Sequence, residues 1–98
     1  MNKVINSYET IFIVDTASGE EAVSSIVEKF KALISSNGEI ESVDEWGKRR
    51  LAYEINDLKE GYYVLINFKS EPTFPAELER VYKITEGLIR SIIVRKNS

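Results

Sequence analysis

The spacing of apolar residues in the first third of the chain predicts a strand followed by a helix. Residues 8–14, YETIFIV, are rich in β-branched and aromatic side chains, which is typical of a strand. Ser18 and Glu21 then suit a capping box, and Asn37-Gly38 suits a helix end, because glycine adopts left-handed backbone without strain. The apolar residues with helical spacing between these signals are Val23, Ile26, Val27, Phe30, Leu33 and Ile34.

The pattern of residues in the remainder of the chain predicts three more strands and one more helix. Gly47 lies inside the first of these strands and predicts a bulge, since an isolated glycine in a strand often marks one. Pro75 suits the first turn of the helix, with Thr73 or Phe74 near the cap. The predicted segments are a strand over 39–55, a turn over 56–61, a strand over 62–69, a helix with Leu78, Val81 and Tyr82 on its apolar side, and a strand over 88–95.

The order β-α-β-β-α-β predicts one α+β domain over residues 1–98 with the ferredoxin-like arrangement. Right-handed crossovers then give a four-stranded antiparallel sheet with both helices on one face. Alternation assigns two apolar sets to the helix side: Thr10, Phe12 and Val14 on the first strand, and Tyr62, Val64, Ile66 and Phe68 on the third. The open face would carry Ile11, Ile13, Tyr63 and Leu65. Such a patch usually marks a partner surface, although loops or a terminus could instead cover it.

Composition excludes several kinds of site. The 98 residues include no Cys and no His, which removes the disulfide, the thiolate metal site and the commonest general base. Nucleotide-binding glycine loops and calcium-loop spacing do not occur. No apolar run is long enough to span a membrane, and the N-terminus has no signal-peptide core. We therefore expect a cytoplasmic protein that is not an enzyme and uses no cofactor, metal, membrane or small-molecule substrate.

The charge of the chain is distributed unevenly. Residues 1–47 hold 3 basic and 9 acidic side chains, and residues 48–98 hold 10 basic and 7 acidic ones, so a net charge of −3 combines halves of −6 and +3. Three consecutive cations lie within WGKRRLAY, residues 46–53, which we call the basic ribbon. Arginine and lysine attract phosphate, and aromatic rings stack on unpaired bases. The ribbon therefore favours RNA binding, while the alternative is an edge strand whose charges prevent aggregation.

Five stretches together resemble the family of the sixth protein of the bacterial small ribosomal subunit. The most specific is WGKRRLAY followed closely by EGYYVL. The stretches span nearly the whole chain: YETIFIV (8–14), VDEWGKRRLAYEI (43–55), EGYYVLINF (60–68), FPAELERVYKITEG (74–87) and IIVRK (92–96). Many members of that family have proline in the position of Glu54. Glutamate in place of that proline provides a backbone N–H for pairing, and we expect the fold to be undisturbed.

The resemblance implies a ferredoxin-like protein on the ribosome that binds the central domain of small-subunit ribosomal RNA. It also implies a heterodimer with the eighteenth small-subunit protein. On this basis we expect two sets of contacts. The expected RNA-binding residues are Tyr8, Lys48, Arg49, Arg50, Tyr53, Arg90, Arg95 and Lys96, and the expected partner-binding residues are Ile11, Ile13, Trp46, Tyr63 and Leu65.

Two other functions stay open from the sequence. One is a stand-alone module for single-stranded RNA, although the third strand matches the RNA-recognition signature poorly, with Glu60 at its basic position and Tyr63 at its small one. The other is a small-molecule regulatory domain on the same fold, which would need a ligand pocket at a dimer interface.

Overall fold

Four strands and two helices follow one another in the predicted order. The computed structural model describes residues 4–17, 19–55 and 58–96, with side chains described everywhere in these ranges except 49–60. The elements are β1 (Asn6–Asp15), α1 (Glu20–Asn37), β2 (Gly38–Ile55), β3 (Leu58–Ser70), α2 (Phe74–Ile84) and β4 (Leu88–Arg95). Thr73 is the N-cap residue of α2 and Pro75 lies in its first turn, as predicted.

The sheet has the order β2-β3-β1-β4, and every neighbouring pair is antiparallel. The two central strands, β1 and β3, pair without interruption from Asn6↔Ser70 to Asp15↔Gly61. The ferredoxin-like prediction is confirmed, with β2 and β4 as the two edges.

The core lies between the helices and one face of the sheet. Thr10, Phe12 and Val14 of β1 are fully buried there, as the alternation predicted. The ring of Phe30 from α1 lies 4.6 Å from the ring of Tyr82 from α2, measured between centroids, which joins the two helices over the sheet. The buried apolar side chains of the core are Tyr8, Phe12, Val14, Val23, Val27, Phe30, Ile34, Val64, Ile66, Phe68, Phe74, Leu78 and Tyr82.

α1 ends at Asn37 as predicted, but the caps at both of its ends differ from the prediction. The N-cap residue is Gly19, and Ser18 of the expected capping box lies outside the described residues. At the other end Gly38 is extended, with φ −171°, rather than left-handed. Gly38 is the first residue of β2, opposite Ser70, and a Cβ there would lie 2.2 Å from the Lys69 carbonyl oxygen. This position therefore favours glycine because β3 approaches closely.

The hairpin of β2 and β3 is longer than predicted. Residues 58–61 belong to β3 rather than to a turn, while 56–57 lie outside the described residues. Backbone pairing continues past the end of β1 through Arg50↔Glu60 to Ile55↔Leu58. The two strands therefore form an arm beyond the four-stranded sheet, and the molecule is 49 Å long against 24 and 22 Å in the other directions.

Candidate functional site

The sheet face without helices carries a continuous group of apolar side chains. Ile11 and Leu65 lie opposite each other on the central strands, and Ile92 of β4 lies opposite Ile11. Val94 lies two residues further along β4. Ile92 and Val94 are 48% and 51% exposed, whereas Ile11 and Leu65 are half-buried. We call these four residues the apolar band.

Sequence reasoning missed the two most exposed members of the apolar band. Ile92 and Val94 belong to an apolar run, IIV, that gives no alternation by itself. Their side of the sheet follows from the register, because Ile92 lies opposite Ile11 and Val94 opposite Glu9. Assigning β4 against the known face of β1 would have found them.

Ile13 corrects one expectation about the open face. It lies on that face, but it is only 8% exposed. Its direct neighbours are the long side chains of Tyr63 on β3 and Arg90 on β4. A residue on a central strand between such neighbours is covered by them, so Ile13 supports the surface rather than forming it.

Trp46 and Tyr63 form an aromatic pair beside the apolar band. Trp46 is the extra residue in a break of register between Glu45 and Gly47, where Gly47 has φ +79° and confirms the predicted bulge. The indole stacks with the Tyr63 ring at a centroid distance of 6.1 Å and an angle of 19°. Its N–H donates to Asp44 Oδ2 at 3.0 Å, and the side chain remains 37% exposed.

The basic ribbon begins at this aromatic pair and continues into the arm. Lys48, Arg49 and Arg50 lie opposite Tyr62, Gly61 and Glu60 of β3. The side chains of Arg49, Arg50 and Tyr53 lie outside the described residues, so their expected RNA contacts stay predictions.

Lys48 lies on the helix side of the sheet. Together with Glu20, Glu28 and Glu45 it lines a groove of about 630 Å³ between α1 and the strands. Three glutamates therefore line the same groove as this lysine, although its neighbours along the chain are two arginines. Its contact with RNA stays a prediction.

The cations at the end of the chain lie at separate places. Arg90 is on the open face, opposite Ile13. Lys96 reaches the same face, since its Nζ donates to Asn67 Oδ1 at 3.0 Å. Arg95 lies opposite Tyr8, and its Nη2 donates to Asn6 Oδ1 at 3.5 Å.

Tyr8 is not placed as its expected RNA contact requires. It is 6% exposed and its ring stacks with Phe68 in the core, at a centroid distance of 5.5 Å. The alternation that assigned Thr10 and Phe12 to the helix side assigns Tyr8 to that side as well. Its ring is therefore part of the protein interior rather than an exposed stacking surface.

A charged network joins α1 to β2 and β3 next to the basic ribbon. Tyr62 Oη donates to Glu45 Oε1 at 2.9 Å, and Lys31 Nζ donates to Glu45 Oε2 at 3.1 Å. These two hydrogen bonds hold the pKa of Glu45 below its usual value. The ammonium of Lys31, although partly desolvated, has a raised pKa because of Glu45 and Glu28. The network fixes β2 one residue before Trp46.

The described residues provide neither a membrane-spanning helix nor a metal-binding cluster. None of the helices in these ranges is long and apolar enough to cross a membrane. No group of three or more acidic, His or Cys side chains in the same ranges could hold a metal ion.

Comparison with known proteins identifies the family. Residues 7–95 match the model of the family described as Ribosomal protein S6. Small ribosomal subunit protein bS6 of Clostridium perfringens (strain SM101) is 53% identical over 93 residues, covering 94% of this chain and 98% of that protein. The protein of the same name from Clostridium acetobutylicum is 50% identical over 91 residues, covering 92% of this chain and 96% of its own.

A solved structure agrees with these matches. The crystal structure of 30S ribosomal protein S6 from Thermotoga maritima superposes with a TM-score of 0.89 at 34% identity, covering 95% of this chain and 89% of that one. The chain belongs to the ribosomal protein S6 family and is a structural constituent of the small ribosomal subunit, not an enzyme.

Proposed function

We propose that this protein binds the central domain of small-subunit ribosomal RNA as a heterodimer with the eighteenth small-subunit protein. Membership of the ribosomal protein S6 family supports this role and assigns the chain to the cytoplasmic ribosome of a bacterium. The observation that carries the proposal is an open sheet face with an exposed apolar band beside positively charged residues.

The apolar band is the proposed contact for the protein partner. Two β-branched side chains that are half exposed, next to two that are half-buried, form a contiguous apolar surface on a rigid sheet. Soluble monomers seldom leave such a surface uncovered, and burial of apolar area is the main driving force of association. Ile92 and Val94 would bury the most new area, so they should dominate the affinity for the partner.

The proposed RNA contacts come from the arm and from the β4 edge. Arg49 and Arg50 lie where the arm leaves the sheet, and Arg90 and Lys96 flank the apolar band. Screening limits electrostatic interactions between exposed charges to about 8 Å at physiological salt. These cations can therefore act on phosphates although the whole chain has a net charge of −3.

Filter retention of the central-domain RNA fragment tests the proposal, with and without the eighteenth protein and at two salt concentrations. We expect tight, salt-sensitive retention only when the partner is present. Arg49→Ala combined with Arg50→Ala should remove about two phosphate contacts. The slope of the logarithm of the binding constant against the logarithm of the salt concentration should then become shallower by about two. Arg80→Ala combined with Lys83→Ala is the matched control, because both are exposed cations on α2 and pair with Glu77 and Glu79. Equal retention without the partner would instead favour a stand-alone RNA module.

The heterodimer is tested separately by calorimetry without RNA. Ile92→Ser and Val94→Ser should each weaken binding of the eighteenth protein about five- to thirtyfold, since each removes an apolar side chain from the interface. Ile84→Ser is the control, because Ile84 is also an exposed isoleucine but lies on α2, away from the open face. Equal effects of all three substitutions would refute the assignment of the apolar band.

A further inference from the structure

The aromatic pair on the open face is held in one arrangement by three independent constraints. The bulge at Gly47 displaces Trp46 from the regular strand, and Tyr63 stacks with the indole. Asp44 accepts the indole N–H. An exposed tryptophan whose polar atom is already bonded offers a preformed flat surface that loses little conformational entropy on binding a planar ligand.

Asp44 adds a specific hydrogen-bond acceptor at the edge of this surface. Its Oδ2 accepts the indole N–H, and a carboxylate has about four acceptor positions in all. Within the part of the chain that the structure describes, the indole is the one donor to this carboxylate. Acceptor capacity therefore remains beside the stacked rings.

We propose, on the basis of the RNA-binding role proposed above, that Trp46 and Tyr63 stack an unpaired nucleobase while Asp44 accepts a hydrogen bond from its exocyclic amino group. Single-stranded RNA is commonly bound through bases stacked on aromatic side chains of a sheet. Aspartate accepts hydrogen bonds from amino groups such as cytosine N4. The site therefore prefers cytosine, adenine or guanine over uracil, which has no exocyclic amino group.

The surroundings of the pair favour a nucleotide over a protein side chain. An apolar protein surface placed on these rings would also cover the Asp44 carboxylate, and burying a charge that has only one hydrogen-bond donor is costly. The amino group of a base would fill one of the remaining acceptor positions and so lower that cost. Arg90 lies in the same row across the sheet, after Tyr63 and Ile13, at two strand spacings or about 10 Å from Tyr63. It is close enough to meet a phosphate of the same RNA strand.

Tryptophan fluorescence reports directly on this site, because Trp46 is the only tryptophan in the chain. The full-length protein is titrated with single-stranded hexanucleotides of cytidine, adenosine or uridine, and with a duplex of the same length. We expect saturable quenching by the cytidine and adenosine strands, at least fivefold weaker binding of the uridine strand, and no quenching by the duplex. Asp44→Asn should reduce the discrimination against uridine. Equal quenching by all three strands would overturn the role of Asp44, and no quenching would overturn the stacking site.

Retention of the central-domain RNA by the heterodimer separates this inference from the proposed function. Trp46→Leu should weaken retention about five- to hundredfold, whereas Trp46→Phe, which keeps an aromatic ring, should restore most of it. If Trp46→Leu retains the RNA as the unmodified protein does, the stacking site is wrong and the proposed function stands. If Trp46→Leu instead weakens binding of the eighteenth protein in the absence of RNA, the pair belongs to the protein interface. If the unmodified heterodimer fails to retain the RNA, both proposals fail.

Discussion

A buried chain of hydroxyl groups provides the sharpest test of how this fold is held together. Thr10 Oγ1 donates to the Ile92 carbonyl oxygen at 2.9 Å, and Tyr82 Oη lies 2.9 Å from the same Thr10 Oγ1. Because the threonine proton is directed to Ile92, the tyrosine is the donor in the second bond. The chain links α2 to β1 and β1 to the edge strand that carries half of the apolar band. Burial raises the pKa of Tyr82, so its hydroxyl stays protonated in the folded protein at neutral pH.

The two halves of this chain respond differently to substitution. Tyr82→Phe removes one hydrogen bond but leaves Thr10 bonded to Ile92, so it should cost about 0.5–1.5 kcal/mol. Thr10→Val preserves shape but leaves both the Tyr82 hydroxyl and the Ile92 carbonyl without this partner. At roughly 1–3 kcal/mol for a buried group that loses its partner, Thr10→Val should cost about 2–4 kcal/mol. Adding Tyr82→Phe to Thr10→Val then removes the buried Tyr82 hydroxyl that has lost its partner. The free energy of unfolding should rise again by about 1 kcal/mol or more.

Urea unfolding followed by far-ultraviolet circular dichroism measures the free energy of unfolding for both single variants and for the double variant. The expected signature is a change of sign: Tyr82→Phe destabilises the unmodified protein and stabilises the Thr10→Val protein. If Tyr82→Phe costs the same amount in both backgrounds, the two hydroxyls act independently and the reasoning is wrong.

Two further substitutions test other parts of the structure. Because the hydrogen bond from Tyr62 and then the interaction with Lys31 lower the folded-state pKa of Glu45 below 4.5, this carboxylate stabilises the fold above that pH and loses its effect as the pH falls through the folded-state pKa. Glu45→Gln should therefore flatten the acid side of the stability profile, by no more than about 0.5 kcal/mol because the side chain is 39% exposed, and thermal scans between pH 3 and pH 7 measure it. Gly38→Ala should lower the free energy of unfolding by about 1–3 kcal/mol in the urea assay, because its Cβ would clash with the Lys69 carbonyl, and an unchanged midpoint would contradict that contact.

Local patterns were sufficient for the elements and for the core face of each central strand. The helical stripe of α1 is confirmed, with Val23, Val27, Phe30 and Ile34 buried, and so is the bulge at Gly47. These predictions succeed because periods of 3.6 and 2 place side chains on faces whatever the rest of the chain does. Tyr8 shows the limit of applying them selectively, since its position in the alternation already placed it inside.

Features that depend on a second strand were predicted less well. Asn37-Gly38 predicted a helix cap in which Gly38 has a left-handed backbone conformation. The structure instead explains the glycine by the close approach of the Lys69 carbonyl on β3, which leaves no room for a side chain. The polar segment at 56–61 looked like a turn, but pairing with β2 extends β3 back to Leu58. A sequence shows which residues tolerate a turn, and cross-strand pairing decides where the chain turns.

The amino-acid sequence by itself determined the order of elements, the helix-side residues, the location of the basic ribbon and the resemblance to a ribosomal protein family. Only the tertiary structure decided which side chains of the open face are accessible. The strand register places Ile92 beside Ile11 and covers Ile13 between Tyr63 and Arg90. It also stacks Trp46 on Tyr63, with Asp44 at the edge of the indole. The physical reason is that periodicity acts within one strand, whereas exposure and stacking depend on neighbours that are distant in sequence.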